Sequence, residues 1–145
     1  MLENKIKSIK TEALNSNNIK ANQNTFVNTR KPKSVGTHLI VDIWGAQKLT
    51  DQKHIEQTIK KCVKESGATL LHYHTHKFDP NGGISGVAIL AESHISIHTW
   101  PEIDYAAFDF FTCGLISPES ALQILHESLK PKKLNFKNYS RGALE

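Results

Sequence analysis

The chain has 145 residues, enough for one domain with its own core, and its 39% hydrophobic and 22% charged content is ordinary for a globular protein. Its net charge of +4 is local: residues 1–33 hold seven Lys and Arg against two acids, whereas residues 34–145 hold eleven against twelve. The nearly neutral remainder lacks the basic face of a nucleic-acid binder, no run of about 18 apolar residues can span a membrane, and the polar start MLENKIKSIKTEALNSNN has no secretory core, so a cytoplasmic protein with neither partner is expected.

Residues 1–33, rich in Asn and Lys and ending in Arg30-Lys31-Pro32-Lys33, read as a flexible basic N-terminal extension with a fraying helical turn near Ile6–Leu14. Ordered pattern begins with the apolar run His38–Trp44, a strand. Ile55, Ile59, Cys62 and Val63 then form one helical stripe, and Gly67 after Ser66 stops it. Thr69–Phe78 reads as a strand, followed by the turn Asp79-Pro80-Asn81-Gly82-Gly83. Val87–Ala91, Ile95–Trp100 and Tyr105–Thr112 read as further strands. Ser117 as cap, Pro118 at the first helical position and Glu119 at the positive end predict a second helix to about Lys130, before a last strand Leu134–Tyr139. Strands outnumber helices and several connections are too short for crossovers. The expected fold is therefore α+β, a two-layer sandwich with a mainly antiparallel sheet and two helices on one face, over residues 34–145.

Several residues invite chemistry. His72, His74 and His76 share one face of a strand by period two, the arrangement a metal site or a histidine-triad nucleotide hydrolase needs. Thr75 and Lys77 break the apolar pattern of the triad motif, however, and no neighbouring acid or Cys completes a metal shell, so solvent-facing histidines are expected. Cys62 falls on the apolar stripe of its helix and Cys113 at a strand end; without a secretory signal both are expected as free thiols. In Ser93–Trp100, alternation places Ile95 and Ile97 on one face and His94, Ser96, His98 and Trp100 on the other. No Gly-x-Ser-x-Gly elbow supports a hydrolase. The Glu92-Ser93 bond, the two histidines after it and Cys113 twenty residues on suit a chain that cuts itself and makes its new N-terminus an electrophile.

Taken together, GGISGVAILAESHISIHTWPE (82–102) and YAAFDFFTCG (105–114) closely resemble the proenzymes of prokaryotic S-adenosylmethionine decarboxylases. Weaker similarity through VGTHLIVDIWGA, ESGATLL and HKFDPNGG extends the resemblance to about residues 34–141. One departure is Ile103-Asp104, where many relatives have glycine second.

The resemblance implies self-cleavage between Glu92 and Ser93, giving a β chain 1–92 and an α chain 93–145. Ser93 becomes a pyruvoyl group, the cofactor, which forms a Schiff base with S-adenosylmethionine and draws in electrons as carbon dioxide leaves. His98 is implied as the proton acceptor in processing, Ser85 as its helper and Cys113 as the proton donor in decarboxylation. Phe78 and Trp100 are implied against adenine or the sulfonium, and Glu102 against the ribose hydroxyls. The product, S-adenosylmethioninamine, would supply the aminopropyl group of spermidine, and self-association into a dimer of processed protomers is expected. The alternatives are arginine or ornithine as substrate on the same fold and cofactor, or, more distantly, a histidine-triad or metal-binding protein.

Overall fold

The computed structural model describes residues 33–144; the extension expected over residues 1–33, with its helical turn near Ile6–Leu14, lies outside the described residues but for Lys33. Six strands, β1 (Ser34–Trp44), β2 (Leu70–Lys77), β3 (Ile84–Leu90), β4 (Ser93–Trp100), β5 (Tyr105–Cys113) and β6 (Lys133–Ala143), form one sheet in the order β2-β3-β4-β5-β1-β6. Every neighbouring pair is antiparallel. Helix α1 (Gln52–Ser66) and helix α2 (Ser120–Leu129) complete the α+β fold.

Local chemistry explains the ends of α1. Asp51 caps its N-terminus by accepting a bond from the His54 N–H at 3.0 Å. At the other end Gly67 takes φ +77°, which lets the Ala68 N–H reach the Val63 carbonyl. Helix α2 departs from expectation. It starts at Ser120, and the Ser117 hydroxyl bonds the Glu119 carboxylate at 2.6 Å instead of capping the helix. The Glu119 carboxylate takes the hydroxyl proton and holds the side chain away from the helix N–H groups its oxygen would otherwise accept from.

The two faces of the sheet differ sharply. Leu39, Val41 and Ile43 of β1, Ile95 and Ile97 of β4, and Phe108 and Phe110 of β5 are all fully buried with Ile55, Ile59, Cys62, Leu125 and Leu129 from the helices. The opposite face has no described helix over it. Register lays it out as rows that cross all six strands. One row reads His72, Ile89, His94, Phe111, His38, Tyr139; the next reads His74, Val87, Ser96, Asp109, Ile40, Lys137; the third reads His76, Ser85, His98, Ala107, Asp42, Asn135. Six of the eight histidines in the chain thus stand on this open face.

Phe108, at the centre of β5 and 6.4 Å edge-to-face from Phe110, has no exposed surface. Phe108→Ala is expected to cost about 3–5 kcal/mol in urea unfolding, because the small sheet-helix core can refill only part of the cavity. A loss below about 1 kcal/mol would place the ring outside the core.

Candidate active site

The β3–β4 hairpin is closed by only two residues, Ala91 and Glu92. Glu92 takes φ +57°, a left-handed conformation that a residue with a Cβ adopts at a cost of roughly 1–2 kcal/mol. The strained residue supplies the carbonyl of the Glu92-Ser93 bond. Ser93 follows as the first residue of β4, and its side chain falls on the core side, 8% exposed. Its Oγ accepts a bond from the backbone N–H of Cys113 at 3.3 Å. The structure therefore brings Ser93 and Cys113 together at one end of the sheet.

His98 is elsewhere. It lies five residues along β4, about 17 Å from Ser93 at ordinary strand rise, and on the open face. There it pairs across the sheet with Ser85, whose Oγ is 2.8 Å from His98 Nδ1. Ser85 stands inside strand β3, not at a turn. With the proton on Nδ1, donated to Ser85, the Nε2 lone pair is left as a base. The candidate substrate contacts gather near this second end. Trp100 is half-buried and stacks on Tyr105 at 5.3 Å, which in turn meets Trp44 at 4.3 Å. The Tyr105 hydroxyl donates to Asp42 Oδ1 at 2.7 Å; burial first, and then this carboxylate, push the phenol up to about 12. Glu102 lies in the short helix Pro101–Ile103 and accepts from Asn81 at 3.4 Å, while Phe78 meets the His76 ring edge-to-face at 4.6 Å. Asp104 takes φ +51°, a left-handed turn shape that aspartate tolerates.

Other open-face residues escaped sequence reasoning. His94 stacks on Phe111 at 5.6 Å, and Arg141 lies over the same ring at 5.8 Å. His38 Nδ1 faces Arg141 Nη1 at 3.4 Å, and its Nε2, shut off from solvent, is 3.3 Å from Asp109 Oδ1 without hydrogen-bond alignment. Strand alternation places each on the even phase of β1 or β4 or the odd phase of β5 or β6, but only the register between these four strands shows that they meet. His72, His74 and His76 are exposed, and no cluster of three or more metal-binding groups exists among the described residues.

A sequence model of the S-adenosylmethionine decarboxylase family matches residues 37–142, a span that includes both ends of this site. The chain belongs to the S-adenosylmethionine decarboxylase family. It is 47% identical over 116 residues to an S-adenosylmethionine decarboxylase proenzyme of Methanococcus maripaludis, covering 78% of this chain and 94% of that one. A proenzyme of Thermomicrobium roseum is 43% identical over 113 residues, covering 77% of this chain and 97% of the relative. Among solved structures, the adenosylmethionine decarboxylase of Aquifex aeolicus VF5 superposes with a TM-score of 0.70 at 33% identity, over 79% of this chain and 96% of that one. The S-adenosylmethionine decarboxylase fold is thus present over nearly the whole length of these relatives.

The two thiols of this decarboxylase differ in reach. Burial pushes Cys62 up to about 12, whereas Cys113 is partly exposed. Near pH 8, iodoacetamide is expected to label Cys113 alone in the folded protein and Cys62 only after denaturation. Equal labelling of both, followed by peptide mass, would contradict the packing of Cys62.

Proposed function

We propose that this decarboxylase cuts itself between Glu92 and Ser93, carries a pyruvoyl group at position 93, and converts S-adenosylmethionine to S-adenosylmethioninamine and carbon dioxide, the aminopropyl donor for spermidine. The observation that carries the reading is the hairpin end: a strained Glu92 followed by a serine hydroxyl held against the Cys113 backbone. A pyruvoyl group fits there, because the α-chain N-terminus left by cleavage would stand beside a thiol that is only partly exposed.

Processing needs a serine for a definite reason. Attack of Ser93 Oγ on the Glu92 carbonyl breaks the amide C–N bond and forms an ester. A carboxylate can then leave where an amide nitrogen could not. A base takes the Ser93 α-proton, the Glu92 carboxylate departs, and the dehydroalanine that remains takes up water and releases ammonia. Once formed, the pyruvoyl group supplies an electron-accepting carbonyl for loss of carbon dioxide. Cys113 holds the proton that the substrate α-carbon receives. Trp100, Tyr105 and Trp44 offer aromatic faces suited to adenine and to a sulfonium cation, and Glu102 offers a carboxylate to ribose hydroxyls.

One protomer cannot assemble these parts. Ser93 and Cys113 lie at one end of the sheet, and Ser85, His98, Trp100 and Glu102 toward the other. A second copy packed face to face through a two-fold axis would set the His98 end of one protomer on the Ser93 end of the other. The open face supports this with Ile40, Trp44, Val87, Ile89, Trp100 and Tyr139, all 37% exposed or more. In this arrangement the α-proton of Ser93 goes to His98 of the partner.

Intact mass under denaturing conditions should give two chains, 1–92 and 93–145, the second with pyruvoyl mass in place of serine. Labelled carbon dioxide should come from S-adenosylmethionine and not from arginine or ornithine. The shared site is tested by complementation. Ser93→Ala alone is expected to stay uncut, and His98→Ala alone to cut about a hundredfold or more slowly. Co-expressed, they should yield cut His98→Ala chains, since those keep Ser93 and borrow a partner's imidazole. His98→Ala chains that stay uncut in the mixture would rule out the exchange.

A further inference from the structure

Each turnover of a decarboxylase consumes one proton: a carboxylate leaves as carbon dioxide and a C–H bond takes its place. If Cys113 gives that proton, it is left as a thiolate and must be recharged from water before the next substrate. The proposal below rests on that assignment of Cys113. Sealing the open face against a second copy makes the resupply harder, so a route for the proton has to be built into the protein.

The residue best placed for this is His94. It follows Ser93 directly in the chain and stands on the open face. Across the strand boundary it pairs with Phe111, and Cys113 is two residues further along β5 in the same phase. Such diagonal neighbours have Cβ atoms about 7 Å apart, a gap that one water can bridge between an imidazole and a thiol. Its ring is held flat on Phe111, with centroids 5.6 Å apart and planes 18° apart. Among the described residues nothing hydrogen-bonds to either ring nitrogen. The contrast with His38 is instructive, because Arg141 and Asp109 flank both nitrogens of that ring. His94 is exposed in the single chain and stands one residue in from the start of β4, beside the β3–β4 turn, where water can reach the ring from the edge of the covered face. The groups around it are few: Ile89 from β3, Phe111 from β5 with Arg141 above that ring, and His38 from β1 at 6.4 Å, itself beside Asp109.

We propose that His94 is the proton relay that recharges Cys113 between turnovers. In the step, the N–H bond of a protonated His94 breaks and an S–H bond forms on Cys113. Water then returns a proton to the neutral imidazole. The sum over one cycle is one proton taken from solvent and placed on the substrate carbon.

A relay differs from a merely structural role in when it acts. The first turnover starts from a thiol already charged, and only later turnovers need His94. Processed His94→Gln should therefore carry out its first turnover within about twofold of native in rapid-quench measurement, yet run at least tenfold slower in steady state. Added imidazole should restore the steady rate in proportion to its concentration. A first turnover slowed as much as the steady state, or no response to imidazole, overturns the relay. Should His94→Gln stay uncut, native processed enzyme is read the same way from pH 6 to 8. The steady rate is expected to fall with rising pH, as protons for the relay become scarcer, while the first turnover holds; parallel behaviour of the two overturns it. Processed Cys113→Ala separates the two readings. If it decarboxylates at the native rate, the assignment of Cys113 fails; if it is impaired while His94→Gln is not, only the relay fails.

Discussion

His98 lies an odd number of positions, five, beyond Ser93, and a strand turns its side chains over at every residue. That single constraint shapes everything else in this protein. β4 must bury Ile95 and Ile97 against the helices, because these two carry the centre of the core. Its phase is therefore fixed by hydrophobic burial, and Ser93 shares the phase of the buried isoleucines. His98 has to take the other. No adjustment of rotamers brings the two together, and sliding the register by one residue would expose both isoleucines at a cost of several kcal/mol. Hydrophobic burial thus keeps Ser93 and His98 apart within one chain.

The same hydrophobic logic leaves one face of the sheet bare. The helices occupy only the side where Phe108, Phe110 and the isoleucines lie. What remains is a mixed surface of exposed apolar side chains, six imidazoles and two carboxylates, Asp42 and Asp109. A surface so rich in half-buried aromatics is costly to leave in water, yet too polar to serve as a second core. It suits an interface that also holds a substrate carrying both a cation and a planar base. The strained Glu92 belongs to this design. Left-handed backbone at a glutamate costs roughly 1–2 kcal/mol, strain that the proposed cut after it would release.

Much of this was legible in the residues. The stripe of Ile55, Ile59, Cys62 and Val63, with Asp51 before it and Gly67 after it, defines α1 because burial and capping are both local signals. The strands were readable for the same reason, though each runs longer or shorter than its apolar run suggests. Ser85 was harder. Its position between Gly83 and Gly86 reads as a turn, yet Gly86 serves close packing: a Cβ there would come within 3.2 Å of Ile59, Ile97 and Thr75. The glycine lets α1 approach the sheet while the strand continues. Ser117 misled in the opposite way, since its value as a cap depended on where the Glu119 carboxylate would settle. Register was the largest hidden quantity. His38, Phe111 and Arg141 lie far apart in the chain, and pairing across β1, β5 and β6, which no local pattern encodes, makes them neighbours.

Register also resolves a conflict between two demands of the chemistry. Loss of carbon dioxide is favoured where water is excluded and charge is not solvated, which argues for a sealed site. Replacement of the lost group by hydrogen consumes a proton that only solvent can provide. A site closed completely would stall after one cycle, and a site open to water would lose the benefit of closure. Placing the thiol at the end of β5 and an exposed imidazole one strand away separates the two functions. In the proposed reaction the carbon would meet a partly buried thiol, recharged through a ring that stacking on Phe111 holds in place. Because His94 is covalently next to Ser93, the hairpin that carries the strained Glu92 also positions the proposed relay.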